Sequence, residues 1–288
     1  MSRGRARGIR IHAPAKINVT LRVLGVRADG YHELRTTFQS LALHDTLTFA
    51  PVPGPLQIVC SDPGCPTDRR NLVWSAAQAV WRAAGRRATP SGVAIQIVKR
   101  IPMQAGLGGG SANAAAAMVA LSALWRVPLD DSRMRAIARN IGADVAFFLE
   151  GGRVLGLERG DELYPLVDGP PAWVVIARPD FGVSTVDAYR WWDDARAAGT
   201  SKASSRSRND LQAPVAAHHP RVAGLASQLR RAGALDAAMS GSGSAVFGLF
   251  EREKDAHQAV AALGTTRLHT IVTRTLTRRQ HRTLMRPR

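Results

Sequence analysis

Residues 102–117 read PMQAGLGGGSANAAAA, and the fold turns on how this stretch is read. The residues before it, Val93-Ala94-Ile95-Gln96-Ile97-Val98, alternate in the manner of a strand. The alanine-rich run after it predicts a helix over residues 112–125. A strand, a glycine-dense turn and a helix start make a cradle for phosphate. Gly106, Gly108, Gly109 and Gly110 let backbone N–H groups approach an anion closely. The helix N-terminus adds unpaired donors and a positive dipole end. Ser111 and Asn113 place small polar side chains at its mouth. The competing reading is a tight connection whose small residues serve close packing.

Two better-known phosphate motifs do not match. The stretch lacks the Gly-Lys-Ser/Thr ending of a P-loop. Its spacing also fails the Gly-x-Gly-x-x-Gly dinucleotide fingerprint, and no acidic residue follows about 20 positions later in a new strand. Phosphates would then be met by backbone, hydroxyls and a metal ion, with any lysine supplied from elsewhere in the chain.

The chain has 288 residues, 45% of them hydrophobic, which is enough for about two domains. No apolar run approaches the roughly 20 residues that span a bilayer. The leader MSRGRARGIRI is basic but has no apolar core of the secretory kind. Cys60 and Cys65 are too few for a disulfide framework, and with no histidine nearby they make a poor metal site. A reducing, cytoplasmic location is expected. The net charge of +17 comes mostly from arginines scattered along the chain and dense at both ends. They lack the aromatic interleaving of single-strand binders. The favoured reading is a solvated basic surface that draws in anionic substrates, with nucleic-acid binding as the alternative.

Elsewhere the pattern predicts strands near residues 9–11, 15–24, 47–50, 56–60, 153–157, 173–177, 245–250 and 268–275. Helices are predicted at 72–84, 132–141, 186–198, 221–232 and 253–263. Asp29-Gly30 signals a reversal. Residues 50–55, APVPGP, read as a loop, residues 142–149 as a turn, and the Ser/Arg-rich residues 199–209 as an exposed loop. Strands and helices alternate, so the class is α/β or α+β, with a boundary near residues 160–180.

Three further clusters carry chemistry. Lys16 interrupts an apolar strand, with Asn18 on the same face, and is either snorkelling at an edge or aimed into a site. Asp144 is a lone carboxylate in the apolar run IGADVAFF. It must be paired, as a helix cap or buried ion pair, or else serve as a general base held by a cation. Lys16 and Asp144 are complementary candidates. Met239-Ser240-Gly241-Ser242-Gly243-Ser244 is a second small-residue loop before a strand, either an ordinary turn or a cover over an anion.

In this order the motifs resemble those of the GHMP small-molecule kinases. The match narrows through APAKINVTLRVLGVRADGYHEL at 13–34, RNLVW at 70–74, KRIPMQAGLGGGSANAA at 99–115, IGADVAFF at 141–148, GVSTVDAY at 182–189, NDLQAPV at 209–215 and SGSGSAVFG at 240–248. Together they look like the 4-diphosphocytidyl-2-C-methyl-D-erythritol kinase family. The resemblance implies an α+β, two-domain architecture. An N-terminal ribosomal-protein-S5-domain-2-like, ATP-binding domain over residues 1–165 would be followed by a C-terminal ferredoxin-like α/β domain over 166–288. It implies a transferase that uses ATP and Mg2+ to phosphorylate the 2-hydroxyl of a CDP-linked methylerythritol in non-mevalonate isoprenoid precursor biosynthesis. No nucleic-acid or membrane partner is implied, and the chain would be a monomer or homodimer.

Carried over position by position, Lys16 and Asp144 match the family's catalytic pair. The nucleotide contacts implied are Asn71 and Lys99 at the adenosine end, then Pro102, Gly106, Leu107, Gly108, Gly109, Gly110, Ser111 and Ala112, with Ser111 near the metal. On the substrate side fall Asn18, Tyr31, His32, Thr185, Tyr189, Ser240 and Gly241, with cytosine expected between Tyr31 and Tyr189. Without the resemblance, Tyr31 and His32 would be a turn-flanking pair. Two departures stand out: Ala146 occupies a position where many relatives have proline, and no carboxylate in the phosphate loop offers a metal ligand.

Overall fold

Two long strands organise the N-terminal half. β1 (Ile9–Val26) and β2 (His32–Pro55) pair antiparallel through the turn at residues 27–31. Gly30 takes φ +81° there, and the Asp29 carboxylate accepts the Tyr31 N–H at 3.1 Å. β2 changes its second partner midway. Residues 34–39 pair with β5 (Arg153–Glu158), and residues 46–55 pair with β4 (Ser91–Val98). β3 (Gln57–Cys60) adds parallel to β4, and β6 (Glu162–Pro165) adds antiparallel to β5. The second sheet is antiparallel throughout, in the order Leu268–Arg274, Trp173–Pro179, Val246–Phe250, Asp236–Met239. It contains β7 (Trp173–Pro179), β8 (Asp236–Met239), β9 (Val246–Phe250) and β10 (Leu268–Arg274). Two mainly antiparallel sheets with separate helical layers make the class α+β. This is a computed structural model, and it describes residues 8–199, 207–264 and 266–288. Most of the basic leader and of the polar stretch 199–209 lies outside the described residues.

Helices α1 (Leu72–Ala83), α2 (Gly109–Trp125), α3 (Asp131–Ile141) and α4 (Val145–Glu150) belong with the first sheet. Six alanines of α2 are sealed on all sides: Ala112, Ala114–Ala117 and Ala120 have no exposed surface. Small side chains let this helix lie close to β1 on one flank and to α1 and α4 on the others. Helices α5 (Thr185–Ala197), α6 (Gln212–His218), α7 (Arg221–Arg231) and α8 (Glu253–Leu263) belong with the second sheet. A third core joins the two halves, with Ala15, Ile17 and Leu41 packed against Val174, Ile176, Ala238 and Phe247. The loop residues Ile101, Ala105 and Leu107 are part of that join, so the glycine loop is anchored where the sheets meet.

Several expectations are corrected. Residues 50–55 are not a loop but the end of β2, where Pro51 and Pro55 face Val93 and Ser91 across a register shift. Proline is tolerated at such an irregular end because ladder hydrogen bonds are already broken there. Residues 145–150 form α4 rather than a turn, and Gly151 with φ +70° ends it. Residues 278–284 form α9 (Arg278–Leu284) behind a Thr277–Gln280 capping box. That helix returns to β1 and β2, where buried His281 reaches Ser40 Oγ at 2.9 Å and the Phe148 carbonyl at 2.8 Å.

Candidate active site

The glycine loop is shaped by contacts that only glycine allows. Gly106 and Gly108 both take φ +72°. A Cβ on Gly106 would collide with the Ser240 carbonyl, and one on Gly108 would lie 2.7 Å from Phe148 Cζ. Gly108 is the N-cap of α2, and no side chain caps that helix. Its first residues, Gly109, Gly110 and Ser111, line a cleft of about 920 Å³. An uncapped helix start opening into a cleft is suited to an anion.

The second small-residue loop is laced to the first. Ser240 Oγ donates to the Gly106 carbonyl at 2.9 Å and accepts the Asn18 N–H at 3.2 Å. Asn209, fully buried, donates from Nδ2 to the carbonyls of Met239 at 2.7 Å and Gly241 at 2.8 Å. Ser240 is therefore sealed and engaged, and Gly241–Gly243 reach the cleft in its place. The NDL motif thus has a structural task that no reading of the sequence had assigned it.

Lys16 sits between the two loops. Its backbone N–H donates to the Leu107 carbonyl at 3.0 Å, and its stem passes Gly108, where an added Cβ would stand 3.1 Å from Cγ. Its Nζ donates to Asn18 Oδ1 at 2.5 Å and lies 3.3 Å from Asp144 Oδ2. Asn18 Nδ2 donates in turn to Thr36 Oγ1 at 2.7 Å, and that hydroxyl donates to the Thr20 carbonyl at 2.7 Å. This chain of donors fixes the Asn18 amide with its oxygen toward the lysine. Lys16 is 3% exposed, which excludes the edge-snorkelling alternative. Asp144 holds the N-cap position of α4, but its side chain makes no capping hydrogen bond. It is 32% exposed and lines the cleft, so the capping alternative is excluded as well.

Tyr31, Arg159, Val183, Thr185 and Tyr189 line the same cleft. Tyr31 is 56% exposed, with the Arg159 guanidinium 5.2 Å from its ring centroid. His32 also lines the cleft; it stacks on Tyr189 at 4.5 Å, and its Nε2 donates to Asp193 Oδ1 at 3.0 Å. Burial and the nearby Asp144 charge push the Tyr189 hydroxyl above the ordinary tyrosine range. Thr185 Oγ1 is 3.2 Å from Ser242 Oγ, which joins the start of α5 to the second loop.

The remaining candidates divide. Pro102, Leu107 and Lys99 line the cleft. Asn71 does not: its Oδ1 caps α1 on the Val73 N–H at 3.0 Å, and its Nδ2 donates to the Pro66 carbonyl at 2.6 Å. Ala112 is sealed, with its N–H donating to the Gly108 carbonyl at 2.8 Å. Sequence reasoning missed Arg159 and Gln104, which also line the cleft, and the buried Asp45, bound to Lys99 Nζ at 2.5 Å. The signal for Asp45 was a lone acid among alternating apolar residues, the same kind of signal that marked Asp144.

Comparison with known proteins agrees with this arrangement. Residues 71–152 match the family model for the GHMP kinases N terminal domain, and residues 194–268 match that for the GHMP kinases C terminal. The 4-diphosphocytidyl-2-C-methyl-D-erythritol kinase of Pelotomaculum thermopropionicum is 39% identical over 279 residues, 91% of this chain and 96% of its own. The Moorella thermoacetica protein of the same name is 39% identical over 282 residues, 92% of this chain and 98% of its own. A crystal structure of 4-(cytidine 5'-diphospho)-2C-methyl-D-erythritol kinase superposes with a TM-score of 0.74 at 36% identity, covering 93% of this chain and 99% of that one. A homoserine kinase from Cytophaga hutchinsonii superposes at 0.71 with 20% identity, over 100% of this chain and 98% of its own, and shares the fold. The chain belongs to the 4-diphosphocytidyl-2-C-methyl-D-erythritol kinase family of GHMP kinases.

Proposed function

We propose that this chain transfers the terminal phosphoryl group of ATP to the 2-hydroxyl of 4-diphosphocytidyl-2-C-methyl-D-erythritol, a step of non-mevalonate isoprenoid precursor synthesis. The observation that carries the reading is the Lys16–Asp144 pair at 3.3 Å, set in one cleft with the uncapped start of α2. In this reading the amides of residues 108–111 hold the triphosphate, and Asp144 accepts or orients the proton of the acceptor hydroxyl. Lys16 holds that carboxylate in place through their ion pair and offsets negative charge that develops on the transferred group. Phosphoryl transfer needs little covalent help, so catalysis rests on alignment and electrostatics. Burial of Lys16 supplies both, because a sealed ammonium held by Asn18 and Asp144 has one position only.

In the same cleft, Tyr31 offers an exposed ring for a base, and the neighbouring His32 is the group proposed to read a base edge. Tyr189 joins them through its stack with His32. A small amino-alcohol would have no use for these groups, which favours the CDP-linked substrate over homoserine.

Magnesium fits as an ion held mainly by phosphate oxygens and water. Among the described residues no group of three or more His, Cys, Asp or Glu forms a metal cage. Ser111 Oγ at the α2 start is the protein ligand proposed for it, in keeping with the reluctance of this ion to shed water. It would neutralise phosphate charge. No helix among the described residues is long and apolar enough to cross a membrane, and both cysteines are free thiols, so we place the enzyme in the cytoplasm.

A coupled ADP-release assay with the CDP-linked alcohol, homoserine and mevalonate tests the assignment. ADP release should depend on the first acceptor. Release no faster than without acceptor, or faster with homoserine, would overturn it.

A further inference from the structure

Asp45 lies on β2 where that strand changes partners, opposite Ala13 and one residue before the Thr46–Val98 pair. Its side chain has no exposed surface. A carboxylate sealed in this way must have its oxygens satisfied. Oδ1 accepts the N–H groups of Arg100 at 2.7 Å and Ile101 at 2.9 Å, and Oδ2 accepts Lys99 Nζ at 2.5 Å. All of these donors come from residues 99–101, between the end of β4 and Pro102. The carboxylate therefore clamps the chain where it leaves the sheet and enters the glycine loop.

The same clamp aims a charge. The Lys99 side chain is 6% exposed and lines the cleft. A Cβ added to Gly109 would lie 3.1 Å from Lys99 Nζ, so the ammonium rests against the first residue of α2. That places one positive charge beside the positive end of the helix dipole, which is unfavourable by itself. Lysine has a flexible stem and a strongly hydrated head, and without a counter-charge it would turn to water. Asp45 supplies the counter-charge from within the protein. Ammonium and helix start then face the same cleft.

We propose that Asp45 is a positioning residue for the nucleotide: it holds the Lys99 ammonium over Gly109, so that a nucleoside triphosphate meets a prealigned cation together with the α2 amides. It rests on the reading of the glycine loop as the nucleotide site.

The test compares Asp45→Asn, Lys99→Met and the double variant, assayed well below the melting temperature of each. Asp45→Asn should raise KM for ATP about tenfold or more, with KM for the CDP-linked alcohol changed less than threefold. A purely structural defect would move both constants together or lower kcat alone. Because Asp45 acts through Lys99, the double variant should be no worse for ATP than Lys99→Met. Equal changes in the two KM values, or fully additive effects, would overturn the proposal. Should Asp45→Asn fail to fold, Lys99→Met decides: an unchanged KM for ATP overturns the proposal, and a selective rise supports it. Calorimetric titration of the unaltered protein with an unhydrolysable ATP mimic separates the two levels. Absence of saturable binding there defeats the loop reading itself, whereas intact binding with an indifferent Asp45→Asn defeats only this proposal.

Discussion

Lys16 and Asp144 face each other at 3.3 Å with unequal access to water, the lysine 3% exposed and the aspartate 32%. The inequality suits their tasks. A sealed ammonium is held still, and a carboxylate open to the cleft can reach a substrate hydroxyl. Asp144→Asn keeps the shape and removes the base. It should lower kcat by about 10²–10⁴-fold, the usual range for loss of a general base, with nucleotide affinity changed only a few-fold. Steady-state kinetics beside calorimetric binding checks this, and turnover near the unaltered level would contradict the role.

The loop glycines differ in what they tolerate. Gly108 has φ +72°, and its added Cβ would press on the Phe148 ring. Gly108→Ala should cost about 1–3 kcal/mol and weaken nucleotide binding. At Gly110, inside α2, a Cβ would meet only Leu72 Cδ1 at 3.8 Å. Gly110→Ala should stabilise the ligand-free protein by about 0.5–1 kcal/mol. Urea denaturation of both variants without ligand shows whether they move in opposite directions, as expected. A shift of the same sign in both would contradict the loop geometry.

Tyr31 is exposed and separate from the core, so Tyr31→Ala should leave stability within about 0.5 kcal/mol. Loss of a base-stacking ring costs about 1–3 kcal/mol, so KM for the CDP-linked substrate should rise roughly 5- to 150-fold while KM for ATP holds. A rise confined to ATP would place the base elsewhere.

His281 makes stability depend on pH. Its Nε2 donates to the Phe148 carbonyl, so Nδ1 is the acceptor for the Ser40 hydroxyl, and the ring is neutral. Burial pushes its pKa down to about 4, from 6.5. The native state binds the proton less readily than the unfolded chain. The stabilisation is complete above about pH 6.5 and is lost as pH falls toward 4, about 3 kcal/mol over that window. Urea unfolding from pH 7 to pH 4 should show this slope, and His281→Gln should reduce it. An equal slope in the variant would contradict the assignment.

What the sequence made legible were residues whose chemistry clashes with their neighbours. Lys16 and Asp144 stand alone in apolar runs, and the glycines of residues 106–110 have little other use than backbone approach. Asp45 clashes with its neighbours too: alternation in LALHDTLTF puts it on the same face as Leu41, Leu43, Leu47 and Phe49, so its inward position is legible. Its partners are not legible in the segment: the donors at residues 99–101 are brought alongside by the pairing of β2 with β4, a property of the sheet. The stack of His32 on Tyr189 and its bond to Asp193, 161 positions away, are likewise set by tertiary structure. The C-terminal helix was hidden by its arginines, although Thr277 and Gln280 at capping-box spacing had marked its start.

A crystal structure with an unhydrolysable ATP mimic and the CDP-linked alcohol bound tests the central claim most directly. The account predicts the terminal phosphate against the amides of residues 108–111, with the 2-hydroxyl about 2.6–3.2 Å from Asp144. A triphosphate bound away from those amides, or an alcohol out of reach of Asp144, would contradict it.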